Sequence, residues 1–158
     1  MPYQAVILTV SDSCAAGTRT DTSGPAIRAM LENAGFAVQA MQTVPDEEGQ
    51  ISAAIVHACD ILQADLVVTT GGTGLSPCDV TPEATLAVLD REIRAIPVAM
   101  WVEGLKSTPR AMLSRAVAGI RGHTLVLNVP GSEKAARENL SAVVATLDHA
   151  LRMLAGGG

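Results

Sequence analysis

The sequence predicts an α/β fold of three layers, a mostly parallel sheet with helices on both faces. Three observations carry this. Short apolar, β-branched runs alternate with helical segments along the chain, the order that builds βαβ units. The runs are apolar without a polar face, as in strands buried on both sides. Each run ends in a loop rich in Gly, Pro, Ser, Thr or Asp. At 158 residues, with 48% hydrophobic and 17% charged, the chain suits one domain with a full core and is no disordered polymer.

Residues 5–10, Ala-Val-Ile-Leu-Thr-Val, read as the first strand. A polar loop runs from Ser11 to Gly24, and Pro25 opens a helix. Ile27, Met30, Leu31 and Ala34 share one face of it, and Gly35 stops it. Residues 36–44 read as a second strand. Pro45 and Asp46 break it and open a helix with Ile51, Ile55, Ala58 and Leu62 as its buried stripe. On residue chemistry alone Asp46 is the N-cap of that helix. Residues 65–70 form a third strand that runs into Gly71-Gly72-Thr73-Gly74.

Thr81-Pro82-Glu83 has the make-up of an N-cap, a first-turn proline and a first-turn acid, with Leu86, Leu89 and Ile93 as the core face of the helix. Residues 96–107 read as a less regular helix, broken at Ser107-Thr108-Pro109. Residues 124–129 form a fourth buried strand. Ser132 caps a last helix whose stripe is Leu140, Val143, Val144, Leu147 and Leu154. The expected organisation is one domain over residues 1–154 and a flexible tail over 155–158.

Several function classes fall away. Aromatics make up 2%, and 11 basic against 16 acidic residues give a net charge of −5. Neither suits a nucleic-acid partner. No apolar run approaches the roughly 20 residues of a membrane span, and Met1-Pro2-Tyr3-Gln4 lacks the basic start of a signal peptide. Cys14, Cys59 and Cys78 form no CxxC, which reads as reduced thiols of a cytoplasmic protein. His57, His123 and His149 show no metal-ligand spacing.

In a parallel sheet, ligands bind beyond the carboxyl ends of the strands. The loops expected there supply Asp12, Asp21, Asp46 and Asp79, together with Pro130-Gly131-Ser132. The sharpest feature is the run from Gly71 to Gly74. Three glycines in four positions let backbone N–H groups converge on an anion. It is no Walker A loop, since no Gly precedes a Lys, and Pro77 spoils the GxGxxG pattern. Asp79, close behind, adds a carboxylate of the kind that holds Mg²⁺ beside a phosphate. A second feature is charge. Between Glu103 and Glu133 there is no acid, yet Lys106, Arg110, Arg115 and Arg121 fall there. Arg115, beside Ser114, reads as a phosphate fork, and Arg121 as part of a solvated face with partners elsewhere in space. There is no GxSxG elbow for a nucleophilic serine.

These motifs carry a resemblance. Val67-Val68-Thr69-Thr70-Gly71-Gly72-Thr73-Gly74 followed by Asp79-Val80-Thr81-Pro82-Glu83 resembles the signature of the molybdenum-cofactor biosynthesis proteins. So do Ser23-Gly24-Pro25, Val44-Pro45-Asp46-Glu47, Thr108-Pro109-Arg110-Ala111-Met112-Leu113-Ser114-Arg115 and Leu127-Asn128-Val129-Pro130-Gly131-Ser132. The likeness extends over nearly the whole chain and is strongest to the molybdopterin adenylyltransferases, among them the G domain of gephyrin. It implies the molybdopterin-binding fold, a homotrimer, and Mg²⁺-dependent transfer of AMP from ATP to the terminal phosphate of molybdopterin. It also implies hand-over of the product to a separate molybdenum-insertion protein.

By the same resemblance Asp46 and Asp79 are the catalytic, metal-holding pair, which displaces the N-cap reading of Asp46. The binding set it implies is Ser11, Asp12, Gly71, Gly72, Thr73, Gly74, Ser76, Ser114, Arg115, Pro130, Gly131 and Ser132. Cys78 stands where the family usually carries Arg, and Gly104 where close relatives often carry Ser. Lys106 or Arg110 is expected to compensate for the missing Arg. The competing reading is a non-catalytic molybdopterin carrier on the same scaffold, and retention of both Asp46 and Asp79 favours the enzyme.

Overall fold

The four expected runs are strands of a single sheet in the computed structural model, which describes residues 2–157. Met1, Gly158 and the side chains of Cys14 and Ala15 lie outside that description, and with them the thiol reading of Cys14 and the end of the expected tail. The strands are β1 (Gln4–Val10), β2 (Ala37–Val44), β3 (Leu66–Thr70), β4 (Arg91–Glu92), β5 (Ala118–Arg121) and β6 (Thr124–Val129). They stand in the order β2-β1-β3-β6-β5-β4. The pairs β1–β2, β1–β3 and β3–β6 are parallel, whereas β5 runs antiparallel to β6 and β4 antiparallel to β5. The strands β4 and β5 escaped the sequence reading because two and four residues show no readable periodicity.

The helices are α1 (Asp12–Ala15), α2 (Ser23–Asn33), α3 (Glu48–Val56), α4 (Thr81–Leu86), α5 (Ala95–Leu105) and α6 (Glu133–Leu154). A π-helical turn, His57–Ile61, extends α3, and a 3₁₀ turn, Pro109–Leu113, follows α5. Ser132 caps α6 as its sequence predicts, its Oγ accepting from Ala135 N at 3.2 Å. Three local expectations need correction. The residue preceding α3 is Glu47, so Asp46 is no N-cap. Thr81 lies inside the first turn of α4 rather than ahead of it, and its Oγ1 caps nothing. Leu86 ends α4 and is exposed, since the chain leaves the helix there towards β4.

The pleat sorts the core into two layers. Ile7, Leu66, Val68, Leu125 and Leu127 face α2, α5 and α6, where Ile27, Leu31, Met100, Leu140 and Leu147 meet them. Val6, Leu8, Val67 and Val126 face α3 and α4, where Ile51, Ile55 and Ala84 meet them. Full burial of such side chains contributes about 1.5–3 kcal/mol each. The ion pairs, such as Arg28–Glu32, lie on the surface, where a pair contributes about 0–1 kcal/mol. The fold rests on the apolar layers. At the C-terminus, Ala155, Gly156 and Gly157 donate backbone bonds to Leu151, Met153 and Arg152, closing the last turn of α6.

One polar group is built into the second layer. Asn128 is fully buried on β6. Its Nδ2 donates to Thr69 Oγ1 at 2.8 Å and Thr85 Oγ1 at 3.1 Å, and its Oδ1 accepts from Val117 N at 3.1 Å. Asn128 therefore ties β3, α4 and the approach to β5 together just below the carboxyl edge. Asn128→Ala orphans the Val117 N–H and opens a cavity, so it should cost about 2–4 kcal/mol in a urea titration.

Candidate active site

The parallel strands bring their four following loops to one edge, and two cavities open there. The smaller, about 350 Å³, is lined by Ser11, Asp46, Gly71 and the start of α2. The larger, about 650 Å³, is lined by Thr73, Gly74, Ser114, Pro130, the 3₁₀ turn and the first turns of α6. Gly72, Asp79, Gly131 and Ser132 border both. Of the predicted residues, Asp12, Ser76 and Arg115 line neither cavity and instead hold its walls.

The glycine turn owes its shape to crowding. Gly71 (φ 102°) and Gly72 (φ 70°) take left-handed conformations. A Cβ on Gly71 would collide with the carbonyl of Val10, and one on Gly72 with Thr81 Oγ1 while standing 3.2 Å from Asp46 Oδ1. A Cβ on Gly74 would stand 2.9 Å from Asp79 Oδ2. The turn thus passes between the two carboxylates, and only a bare backbone fits.

Each carboxylate is positioned. Asp46 Oδ2 accepts from Asp12 N at 3.1 Å, and Asp12 Oδ1 accepts from Asp46 N at 2.8 Å. This reciprocal pair locks the loop after β1 to the loop after β2. Asp79 Oδ2 accepts from Ser76 N at 3.1 Å. Asp21 lines the smaller cavity and also serves the scaffold, accepting from Thr9 Oγ1 and Gly24 N and so clamping the start of α2 to β1.

Arg115 is committed to the protein. Its Nε donates to the Gly74 carbonyl at 2.8 Å, its Nη2 to the Asp79 carbonyl at 2.6 Å, and its Nη1 to Glu83 at 2.6 Å. It braces the glycine turn and the Asp79 loop from behind. Arg115 in turn holds the Glu83 carboxyl below its ordinary pKa. Lys106 pairs with Glu103 and lines neither cavity, which removes it as the substitute cation. Arg121 forks onto Asp60, as its sequence context suggests. Of the four cations in the acid-free stretch, Arg110 alone has no side-chain partner among the described residues, and it lines the larger cavity. The sequence reading missed Lys134 and Asn139, which also line it. Their signal was present: Asn139 interrupts the apolar stripe of α6, and Lys134 puts a cation in a helix's first turn.

Asp46 sits in a strained electrostatic position. Partial burial raises its pKa above the ordinary value; the Asp12 N–H bond lowers it, and the charges of Asp12 and Asp79 raise it further. Among the described residues no three His, Cys, Asp or Glu side chains converge as a metal cage. Two carboxylates flanking a shared opening nevertheless suit Mg²⁺, which takes one or two carboxylates and completes its shell with water and substrate phosphates.

The profile of a family described as "probable molybdopterin binding domain" matches residues 6–149. The chain belongs to that family. It is 40% identical over 149 residues to the molybdenum cofactor synthesis protein cinnamon of Drosophila melanogaster, covering 94% of this chain but 25% of that protein. Cinnamon is thus about four times longer than its match here. The molybdopterin adenylyltransferase of Helicobacter pylori strain J99 is 37% identical over 154 residues, covering 95% of this chain and 86% of its own. The solved structure of the molybdopterin biosynthesis enzyme MoaB of Thermus thermophilus superposes with a TM-score of 0.93 at 49% identity, covering 98% of this chain and 97% of its own. The family's fold is the one described above, and the carboxyl-edge cavities lie within the matched residues.

The raised pKa of Asp46 has a sign that can be tested. Folding raises the affinity of this carboxyl for its proton, so ionisation as pH rises costs stability. Asp46→Asn keeps an acceptor for Asp12 N and removes the charge. It should raise Tm at pH 7, and the gain should disappear below the ordinary value of 3.8, as followed by thermal melts against pH.

Proposed function

We propose that the chain is a molybdopterin adenylyltransferase that moves AMP from ATP to the terminal phosphate of molybdopterin and releases pyrophosphate. The observation that carries this is the meeting of two cavities at Gly72, Asp79, Gly131 and Ser132, with Asp46 on one side. A transfer between two large substrates needs two compartments with a shared wall, and the reacting phosphates belong at that wall. The likeness to the Helicobacter pylori molybdopterin adenylyltransferase over 86% of its length supports the same reading.

In this reaction an oxygen of the pterin's phosphate bonds to the α-phosphorus of ATP. The bond from that phosphorus to the β-phosphate bridge breaks, and pyrophosphate leaves with the electron pair. Such chemistry asks mainly for positioning and charge neutralisation. Asp46 and Asp79 would hold Mg²⁺, which neutralises charge on the phosphates when bound. The glycine turn offers backbone N–H groups, and Ser132 offers a hydroxyl at the shared wall. Arg115 keeps the turn and Asp79 in register. No side chain needs to form a covalent bond.

Purified protein incubated with molybdopterin, ATP and Mg²⁺ should release pyrophosphate only when the pterin is present. Tight pterin binding without pyrophosphate would favour the carrier reading, and release without pterin a nucleotide hydrolase. Asp79→Asn should keep the fold and lose about 10²-fold or more in turnover, because an amide is a poor Mg²⁺ ligand. Near-normal turnover in that variant would remove Asp79 from the reaction.

A homotrimer in the cytoplasm, delivering its product to a separate molybdenum-insertion protein, completes the proposal. Val98, Val102 and Leu105 are exposed along one face of α5, with Met112 and Leu113 beyond it, an apolar surface that suits a subunit contact. Cys59 and Cys78 are unpaired, as in a reducing compartment. Val102→Asp should shift the sedimentation coefficient to that of a monomer; an unchanged oligomer, or a monomeric parent chain, would refute the α5 contact.

A further inference from the structure

Most of the buried threonines satisfy their hydroxyls inside the protein. Thr9 donates to Asp21, Thr70 to the Pro130 carbonyl, Thr85 to the Thr81 carbonyl and Thr124 to the Ala64 carbonyl, while Thr69 accepts from Asn128. Thr81 departs from this pattern. It is fully buried, and its Oγ1 has no partner among the described residues. A buried hydroxyl without a partner destabilises the fold, and valine would fill nearly the same volume without that cost.

The backbone of Thr81 is clamped on both sides. Its N–H donates to the Gly72 carbonyl at 3.1 Å, and its carbonyl accepts from Thr85 Oγ1 at 2.7 Å. These bonds hold the residue against the glycine turn, so an acceptor has to come to the hydroxyl. A Cβ on Gly72 would collide with Thr81 Oγ1, and the same Cβ would stand 3.2 Å from Asp46 Oδ1. The hydroxyl and the carboxylate thus flank one point on the bare face of Gly72. Thr81 is packed tightly there, whereas Asp46 is only half-buried and ends in a carboxylate that can rotate. The Asp12 N–H bond falls on Oδ2, and Oδ1 is the oxygen on the Thr81 side. A donor without an acceptor therefore faces the carboxylate on which the proposed chemistry depends.

We propose that Thr81 is a positioning residue for Asp46: when Mg²⁺ and phosphate are bound, its hydroxyl donates to Asp46 Oδ1, and the carboxylate is then held from both oxygens, Oδ2 by Asp12 N and Oδ1 by Thr81. This rests on the adenylyltransferase reading and deepens it. A carboxylate whose orientation is fixed by donors behind it holds a metal more tightly than one free to turn. The same arrangement explains why a threonine stands at a fully buried position where the rest of the fold gives its hydroxyl nothing to bond.

Thr81→Val and Thr81→Ser in the full chain separate this role from a structural one. Thr81→Val removes the hydroxyl and keeps the volume. Without ligand it should melt at or above the Tm of the parent chain. It should also need about tenfold more Mg²⁺ for half-maximal pyrophosphate release, with the KM for molybdopterin unchanged. The rise in Tm that Mg²⁺ and ATP give the parent should shrink in the same variant. Thr81→Ser, which keeps the hydroxyl, should restore the Mg²⁺ requirement of the parent. A Thr81→Val protein that melts well below the parent, or fails to fold, shows that the hydroxyl serves the fold and overturns the proposal. So does an unchanged Mg²⁺ requirement in Thr81→Val, and so does a Thr81→Ser protein that needs as much Mg²⁺ as Thr81→Val. A parent chain that releases no pyrophosphate with molybdopterin, ATP and Mg²⁺ sinks the adenylyltransferase reading itself, and this proposal with it, before any variant is made.

Discussion

The backbone of Gly71 lies against the carbonyl of Val10 so closely that no side chain can stand between them, and Gly131 closes in from the other flank, its Cβ position 3.2 Å from the Gly71 Cα. The carboxyl ends of β1, β3 and β6 are packed through these contacts into one continuous rim. Everything chemical follows from that rim. The glycine turn can pass this close because Gly71 and Gly72 carry no side chains, and the carboxylates of Asp46 and Asp79 stand on either side of it. Arg115 then grips the carbonyls of Gly74 and Asp79 and fixes what the glycines leave flexible.

The electrostatics share this origin. The edge gathers carboxylates by topology, on different loops. Partial burial raises the cost of ionising Asp46, and the charges of Asp12 and Asp79 add to it. An apolar domain that held these acids for stability alone would be better served without them. The cost of ionising Asp46 at this edge supports the proposal that the edge receives positive charge.

The fold was legible from residue pattern because parallel strands buried on both faces write themselves as plain apolar runs, as residues 66–68 and 125–127 do. The edge was legible because topology alone assigns the loops to it. What pattern could not reach was short or non-local. The antiparallel margin formed by β4 and β5 is too brief to have a period. Asp46 has a residue context that fits an N-cap equally well, and only the start of α3 after Glu47 excludes that reading in the folded chain. Arg115 has the look of a ligand-binding cation, yet its partners are carbonyls that the turn brings near after folding. Asn139 was hidden among its apolar neighbours, because one polar residue in a helical stripe looks like noise until the folded chain places it on a cavity wall.

The directions of β1 and α6 have an architectural consequence. β1 enters at the amino edge of the sheet, and α6 starts at the carboxyl edge and runs back along its 22 residues, about 33 Å, to the amino edge. The start of β1 and the end of α6 therefore lie on the side away from the cavities. Another polypeptide can be joined at either end and leave the mouth of the site unobstructed. The match to this fold occupies a quarter of cinnamon, a longer protein.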